Sequence, residues 1–176
     1  METSEDILNR QMDFHPQFIN MGLDRIHRLL EALGRPQDKL PPVIHIAGTN
    51  GKGSTSATLK AIFEASGKQV HSFISPHLVH YHERIVLRGK PISESALIDI
   101  LLECEAANAG QDITHFERPT AAAFLAYAKT PADGLLLEVG LGGRLDSTNV
   151  IDHPALSVIT PVALDHHQCL ANDIAT

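Results

Sequence analysis

Cysteine is almost absent: Cys104 and Cys169 are the only two, far apart and without a CxxC spacing. That excludes a disulfide scaffold and a cysteine-based zinc module, and it reads as a reduced, cytoplasmic chain. No charged amino-terminal stretch leads into an apolar segment as a secretion signal does. No apolar run approaches the roughly 20 residues that cross a bilayer, so the sequence predicts a soluble protein without a membrane partner. Positive charge is also scarce, with 14 Lys and Arg against 21 Asp and Glu and a formal net charge of -7. Sequence-independent nucleic-acid binding needs a basic surface to displace counterions, which argues against that class of partner. Internal repeats and low-complexity linkers are missing as well.

What is present is enough apolar material for one core: 176 residues, 43% hydrophobic. Phe18, Met21, Ile26, Leu29, Leu30 and Leu33 stand near helical spacing, predicting an amphipathic helix over Gln17–Leu33 that Gly34 and Pro36 stop. Short runs at Val43–Ala47, Val70–Ile74, Ile85–Leu87, Leu135–Val139 and Leu156–Ile159 read as strands. Helical stretches at Ser54–Ala65, Glu94–Asn108 and Pro119–Ala128 separate most of them. Alternation of this kind predicts an α/β fold with a doubly wound, mostly parallel sheet flanked by helices. Leu135-Leu136-Leu137 fits a strand buried on both faces. Asn172 to Thr176 resemble the opening turn of a helix, so the chain reads as the amino-terminal part of a longer domain.

The segment Gly48, Thr49, Asn50, Gly51, Lys52, Gly53, Ser54 lies between the Val43–Ala47 strand and the next helix. A helix amino terminus gathers unpaired N–H groups and positive dipole density, and glycines let the backbone curl around an anion. A nucleotide polyphosphate is the ligand this pattern predicts, with Lys52 reaching the terminal phosphates. The bland alternative is a glycine-rich turn with an exposed lysine. The loop departs from a Walker A sequence in two places: Ile46 stands where the first glycine is expected, and Gly53 follows Lys52 instead of Ser or Thr. That hydroxyl normally meets Mg2+, so the metal must find oxygen ligands elsewhere.

Together with His45-Ile46-Ala47 before it and Thr55 after it, the loop resembles the ATP loop of folylpolyglutamate synthases, the folate branch of the Mur ligase superfamily. Ile74-Ser75-Pro76-His77-Leu78 with His82-Glu83-Arg84-Ile85 match in the same order. So do Leu137-Glu138-Val139-Gly140-Leu141-Gly142-Gly143-Arg144-Leu145-Asp146-Ser147-Thr148-Asn149, and Ile159-Thr160 leading to Leu164-Asp165-His166. The resemblance implies an ATP-dependent amide ligase that adds L-glutamate to dihydropteroate or to folates, with residues 1–176 forming the first part of its ATP-binding domain. It also implies Mg2+ held by Ser75, Glu138 and His166, with Lys52, Glu138 and His166 as the catalytic set. Chemistry supports part of this: Mg2+ prefers oxygen ligands, and Glu138 ends a strand at the carboxyl edge where open α/β sheets bind ligands. An ion-paired strand-end glutamate is the plainer reading of Glu138. Imidazole is an unusual partner for Mg2+, so His166 rests on the resemblance alone.

For the pterin-bearing substrate the resemblance points to Thr114, His115, Phe116 and Glu117 and to Leu145, Asp146 and Ser147. Phe116 suits a flat heterocycle or the core, and the sequence alone favours the core; His115 and Arg118 beside it depart from the family pattern. Gly140, Gly142 and Gly143 permit close backbone approach or simply make a turn. Two other readings compete. Asp165-His166-His167 as a metal phosphoesterase leaves the phosphate loop unexplained, and a non-catalytic nucleotide switch makes the pterin segments incidental. A complete ligase is expected to be a monomer, and the present chain to self-associate and lack ligase activity.

Overall fold

The computed structural model describes residues 3–14, 22–77 and 79–165. Five α-helices and six strands follow in the order α1 (Ser4–Phe14), α2 (Asp24–Ala32), β1 (Val43–Ala47), α3 (Lys52–Ala65), β2 (Val70–Phe73), β3 (Ile85–Leu87), β4 (Lys90–Pro91), α4 (Glu94–Asn108), α5 (Glu117–Lys129), β5 (Gly134–Glu138) and β6 (Leu156–Ile159). They form one sheet of order β4-β3-β2-β5-β1-β6. β2, β5, β1 and β6 run parallel, while β3 and β4 add an antiparallel edge. The sheet is thus mostly parallel, as the alternation of strands and helices predicts. The antiparallel turn-back at β3 was not readable from it, and neither was α1.

Side-chain alternation divides the core. Leu135 and Leu137 join Val43 and Phe73 in the larger cluster, whereas Leu136 joins Ile46 and Val70 on the opposite face. α5 covers the first face, and every residue from Glu117 to Tyr127 is buried. Four alanines in that helix (Ala121, Ala122, Ala123, Ala126) let it sit close against its neighbours, and α2 and α4 pack on it from outside. α3 packs on the second face over a much smaller cluster, with Leu59 and Phe63 only partly buried.

Local chemistry sets the helix ends. Ser93 caps α4, its Oγ accepting the Ala96 N–H at 3.3 Å. Gly34 and Arg35 take left-handed backbone angles after α2, so the helix stops one residue before the expected Leu33. The expected start at Gln17 lies outside the described residues, but Gly22 and Leu23 are not helical and α2 begins at Asp24, so its described start is later than expected. Thr114 and Glu117 make a capping box ahead of α5. The Glu117 carboxylate accepts the Thr114 N–H at 2.7 Å, and Thr114 Oγ1 accepts the Glu117 N–H at 3.3 Å.

His71 is fully buried at the seam between β2 and α5. Its Nε2–H donates to Thr130 O at 2.8 Å, its Nδ1 accepts the Arg88 N–H at 3.1 Å, and the ring stacks on Tyr127 with centroids 5.0 Å apart. Both ring nitrogens are therefore used by the neutral imidazole, and burial holds its pKa below the usual 6.5. Because the unfolded chain binds the extra proton first, His71 contributes stability above pH 6.5 and loses it as pH falls through that value toward the depressed one. His71→Asn is expected to flatten the stability profile between pH 7.5 and about 5 in urea melts. Parallel profiles for parent and variant would show that His71 is not the titrating group.

Candidate nucleotide and substrate site

β1 runs straight into the phosphate loop, and the segment leaving β6 braces that loop from the side. Thr160 Oγ1 and N–H both donate to Ala47 O, at 3.0 and 2.8 Å. Thr49 and Asn50 N–H both donate to Pro161 O, at 3.1 and 3.2 Å. Thr49 Oγ1 donates to Ala163 O and accepts the Ala163 N–H, each at 3.0 Å. The Thr49 and Asn50 amides are thus spent on this brace, so phosphate falls to the amides from Gly51 into the first turn of α3. Gly51, at φ 87°, makes the left-handed turn that starts the helix. Lys52 Nζ curls back over the loop to Gly48 O at 2.8 Å and Thr49 O at 3.4 Å.

Glu138 ends β5 beside this loop and is 3% exposed. Burial raises its pKa; the nearby Lys52 ammonium and a hydrogen bond from the Ser75 N–H pull the other way. Ser75 and Glu138 are thereby brought together, and Ser75 precedes a cis-proline, Pro76. His166, the third expected ligand, lies outside the described residues, as does His167. Among the described residues no three His, Cys, Asp or Glu side chains cluster as a metal cage. A buried carboxylate next to a serine is nonetheless an all-oxygen donor pair, and a hard divalent cation would supply the counter-charge that Glu138 needs.

The raised pKa makes the ionised Glu138 a burden on the folded chain at neutral pH. Its relative contribution to stability is complete below 4.5 and is lost as pH rises through the folded-state value. Glu138→Gln keeps an acceptor for Ser75 and removes the charge. In thermal melts at pH 7 without metal it is expected to raise Tm by about 3 °C, the shift of about 1 kcal/mol in a domain of this size. No gain is expected at pH 4. Equal or lower Tm at pH 7 would show that Lys52 already compensates the carboxylate.

The loop after β5, residues 140–149, is organised around Asp146. Its Oδ2 accepts the Leu141 N–H at 2.8 Å, and its Oδ1 accepts Thr148 N–H at 2.9 Å and Thr148 Oγ1–H at 2.5 Å. Burial raises the Asp146 pKa, and these donors offset it. Ser147 Oγ lies 3.2 Å from Thr120 Oγ1, and Leu145 stands exposed on the same loop. A Cβ on Gly140 would sit 2.3 Å from Phe116 Cζ, so the ring lies directly on this glycine. Phe116 also tilts against Phe73 at 6.0 Å. The ring is partly buried, so it contributes to the core and keeps an open part.

Of the expected pterin segment, Thr114 and Glu117 are buried and engaged as caps, with Glu117 also bound to Arg25 Nε at 3.1 Å. His115 is half-buried, and burial together with Arg84, Arg118 and His77 holds its pKa below the usual value. His77 Nδ1 accepts the Arg84 Nε–H at 2.9 Å, so this imidazole has a structural partner. Sequence reasoning missed the brace of Thr160 and Pro161 and the contact of His45 with Thr148.

No family model matches the chain. It is 40% identical over 161 residues to dihydrofolate synthase/folylpolyglutamate synthase of Escherichia coli, covering 92% of this chain. It is 42% identical to dihydrofolate synthetase of Saccharomyces cerevisiae, covering 89%. The fold superposes on Escherichia coli FolC in complex with DHPP and ADP with a TM-score of 0.91, at 38% identity over 97% of this chain. The chain is related to the folylpolyglutamate/dihydrofolate synthases. It spans 38% of the length of both curated relatives and 41% of the FolC chain. The bifunctional synthase of Yersinia pestis complexed with AMPPNP and Mn matches with a TM-score of 0.84 at 36% identity, covering 98% of this chain and 43% of that one. The shared region includes the sheet, the phosphate loop and the Asp146 loop, so these relatives' fold extends across both parts of the candidate site. No helix among the described residues is long and apolar enough to cross a membrane.

Proposed function

We propose that residues 1–176 form the amino-terminal part of the ATP-binding domain of a cytoplasmic, ADP-forming ligase that joins L-glutamate to dihydropteroate or folate. The observation that carries this is the placement of Lys52, at the start of α3 just past the glycine loop that leaves β1, near the buried Glu138 at the end of the neighbouring strand β5. The relatives support it: their structures hold ADP with DHPP, or AMPPNP with Mn.

In this reading the amides from Gly51 to Ser54 and the Lys52 ammonium hold the β- and γ-phosphates. Glu138 and Ser75 would hold Mg2+, with His166 as the third ligand; when bound, the ion neutralises charge on the phosphate oxygens. The substrate carboxylate attacks the γ-phosphorus as the bond to ADP breaks, giving an acyl phosphate. The glutamate amine then attacks the acyl carbon, loses a proton and expels phosphate. Phe116 and the loop at Leu145, Asp146 and Ser147 would orient the pterin end, and the protein's part is positioning and charge.

Titration of the 176-residue chain with AMPPNP and Mg2+ is expected to show saturable, metal-dependent binding; no binding would remove the nucleotide reading. The same chain incubated with ATP, Mg2+, dihydropteroate and glutamate is expected to release no sustained phosphate, because more than half of its relatives' length has no counterpart here. The exposed Leu156, Ile159, Val162 and Leu164 along and after the edge strand β6 are expected to make it associate in light scattering. Sustained ligation by a monomer would show that these 176 residues suffice.

A further inference from the structure

We propose that His45 is a positioning residue for the substrate-facing loop, acting through Thr148 on the Asp146 carboxylate; the substrate half of this statement rests on the ligase reading above. His45 belongs to β1, just ahead of the phosphate loop, and its side chain emerges on the α5 face of the sheet. Its Nε2 lies 2.9 Å from Thr148 Oγ1, a contact between residues 103 apart in sequence. Thr148 is completely buried, and its hydroxyl reaches Asp146 Oδ1 at 2.5 Å.

Proton placement follows from the acceptor. An ionised carboxylate only accepts, so the Thr148 hydroxyl proton points at Asp146 and the Thr148 lone pair takes the Nε2–H of His45. The relay runs His45 Nε2–H to Thr148 Oγ1–H to Asp146 Oδ1. It requires the Nε2–H tautomer of a neutral imidazole, the form that burial of His45 favours.

Two consequences separate His45 from an ordinary half-buried histidine. A hydroxyl that receives a hydrogen bond donates more strongly, so the relay strengthens a bond to a carboxylate that burial otherwise pushes toward protonation. Asp146 in turn fixes both ends of the loop, at Leu141 and at Thr148. His45 therefore ties the strand that feeds the phosphate loop to the loop bearing Leu145, Asp146 and Ser147. Without it the Thr148 hydroxyl loses the donor that fixes its rotor, and the loop loses one end of its anchor.

Amide hydrogen exchange on the 176-residue chain tests this directly, with parent, His45→Leu and His45→Gln compared at one pH. The leucine variant is expected to exchange Leu141 and Thr148 N–H on the order of tenfold faster, the equivalent of one net hydrogen bond, with Leu101 and Cys104 in α4 unchanged. Glutamine, which can present an N–H donor, is expected to restore most of the protection. Unchanged exchange at Leu141 and Thr148, or equal acceleration throughout α4, overturns the proposal. Nitrogen chemical shifts of the His45 ring showing the Nδ1–H tautomer overturn it as well. In a second arm, 7,8-dihydropteroate and ADP with Mg2+ are titrated separately. His45→Leu is expected to weaken the pterin about tenfold and leave ADP unaffected; equal pterin affinity in parent and variant counts against the proposal. If the parent binds ADP but no pterin, the substrate reading fails, and the exchange data still decide the role of His45.

Discussion

Gly48→Ala is expected to destabilise the chain by about 3–5 kcal/mol, combining backbone strain with overpacking. Gly48 has φ 132°, a conformation that side-chain-bearing residues rarely adopt. A Cβ there would lie 2.1 Å from Thr160 Oγ1 and 2.8 Å from Thr160 O. The hydroxyl belongs to a short side chain that is itself bonded to Ala47 O, and the carbonyl is backbone, so neither can yield cheaply. Tm should fall by roughly 10 °C or more. Thr160→Ala in the same chain removes the shorter overlap but neither the carbonyl contact nor the strain, so it should recover only part of the loss. A Gly48→Ala variant melting within about 2 °C of the parent, a shift worth at most about 1 kcal/mol here, would mean that the β6 exit does not press on the loop as described.

That brace shows where sequence reading stopped. The strand, glycine loop and helix around Lys52 are contiguous, so the order of residue types is enough to find them. The brace joins Thr49 to Ala163 across 114 residues, and no local pattern announces it. The same holds for His45 and Thr148. Strand direction was lost for a related reason: Ile85–Leu87 is as apolar as a parallel strand, and only its pairing with Ser72 and Phe73 fixes it as antiparallel. In one place the local signal was present and assigned elsewhere. Thr114-His115-Phe116-Glu117 has the spacing of a capping box and makes its two reciprocal bonds in the turn just ahead of α5, which starts at Glu117 and not at the expected Pro119. Those two side chains serve the helix, while His115 and Phe116 between them remain partly accessible. At Gly140 a turn and a close approach both suit the sequence, and the Phe116 ring lying on the backbone there shows the close approach.

Lys52→Ala carries the larger functional effect because its side chain has no part in the core. Lys52 Nζ is held by two carbonyls of its own loop and stands near Glu138. Its removal leaves the helix start at Gly51 intact, so the fold should persist. A modest loss of stability is expected from leaving the buried Glu138 without its cationic neighbour. Affinity for ADP or AMPPNP is a different matter, since a charge-assisted hydrogen bond to phosphate is worth about 1.5–3 kcal/mol. The dissociation constant should therefore rise by about ten- to a hundredfold in a calorimetric titration with Mg2+. The Glu138 side of the site supplies the control. Glu138→Gln should weaken the Mg2+ dependence of nucleotide binding while leaving metal-free ADP binding close to that of the parent. In the double variant the two losses should be less than additive, because Lys52 and the metal both counter charge on the same phosphates. Unchanged nucleotide affinity in a folded Lys52→Ala chain would show that the loop is only a turn, and with it the assignment of this end of the sheet to phosphate would fall.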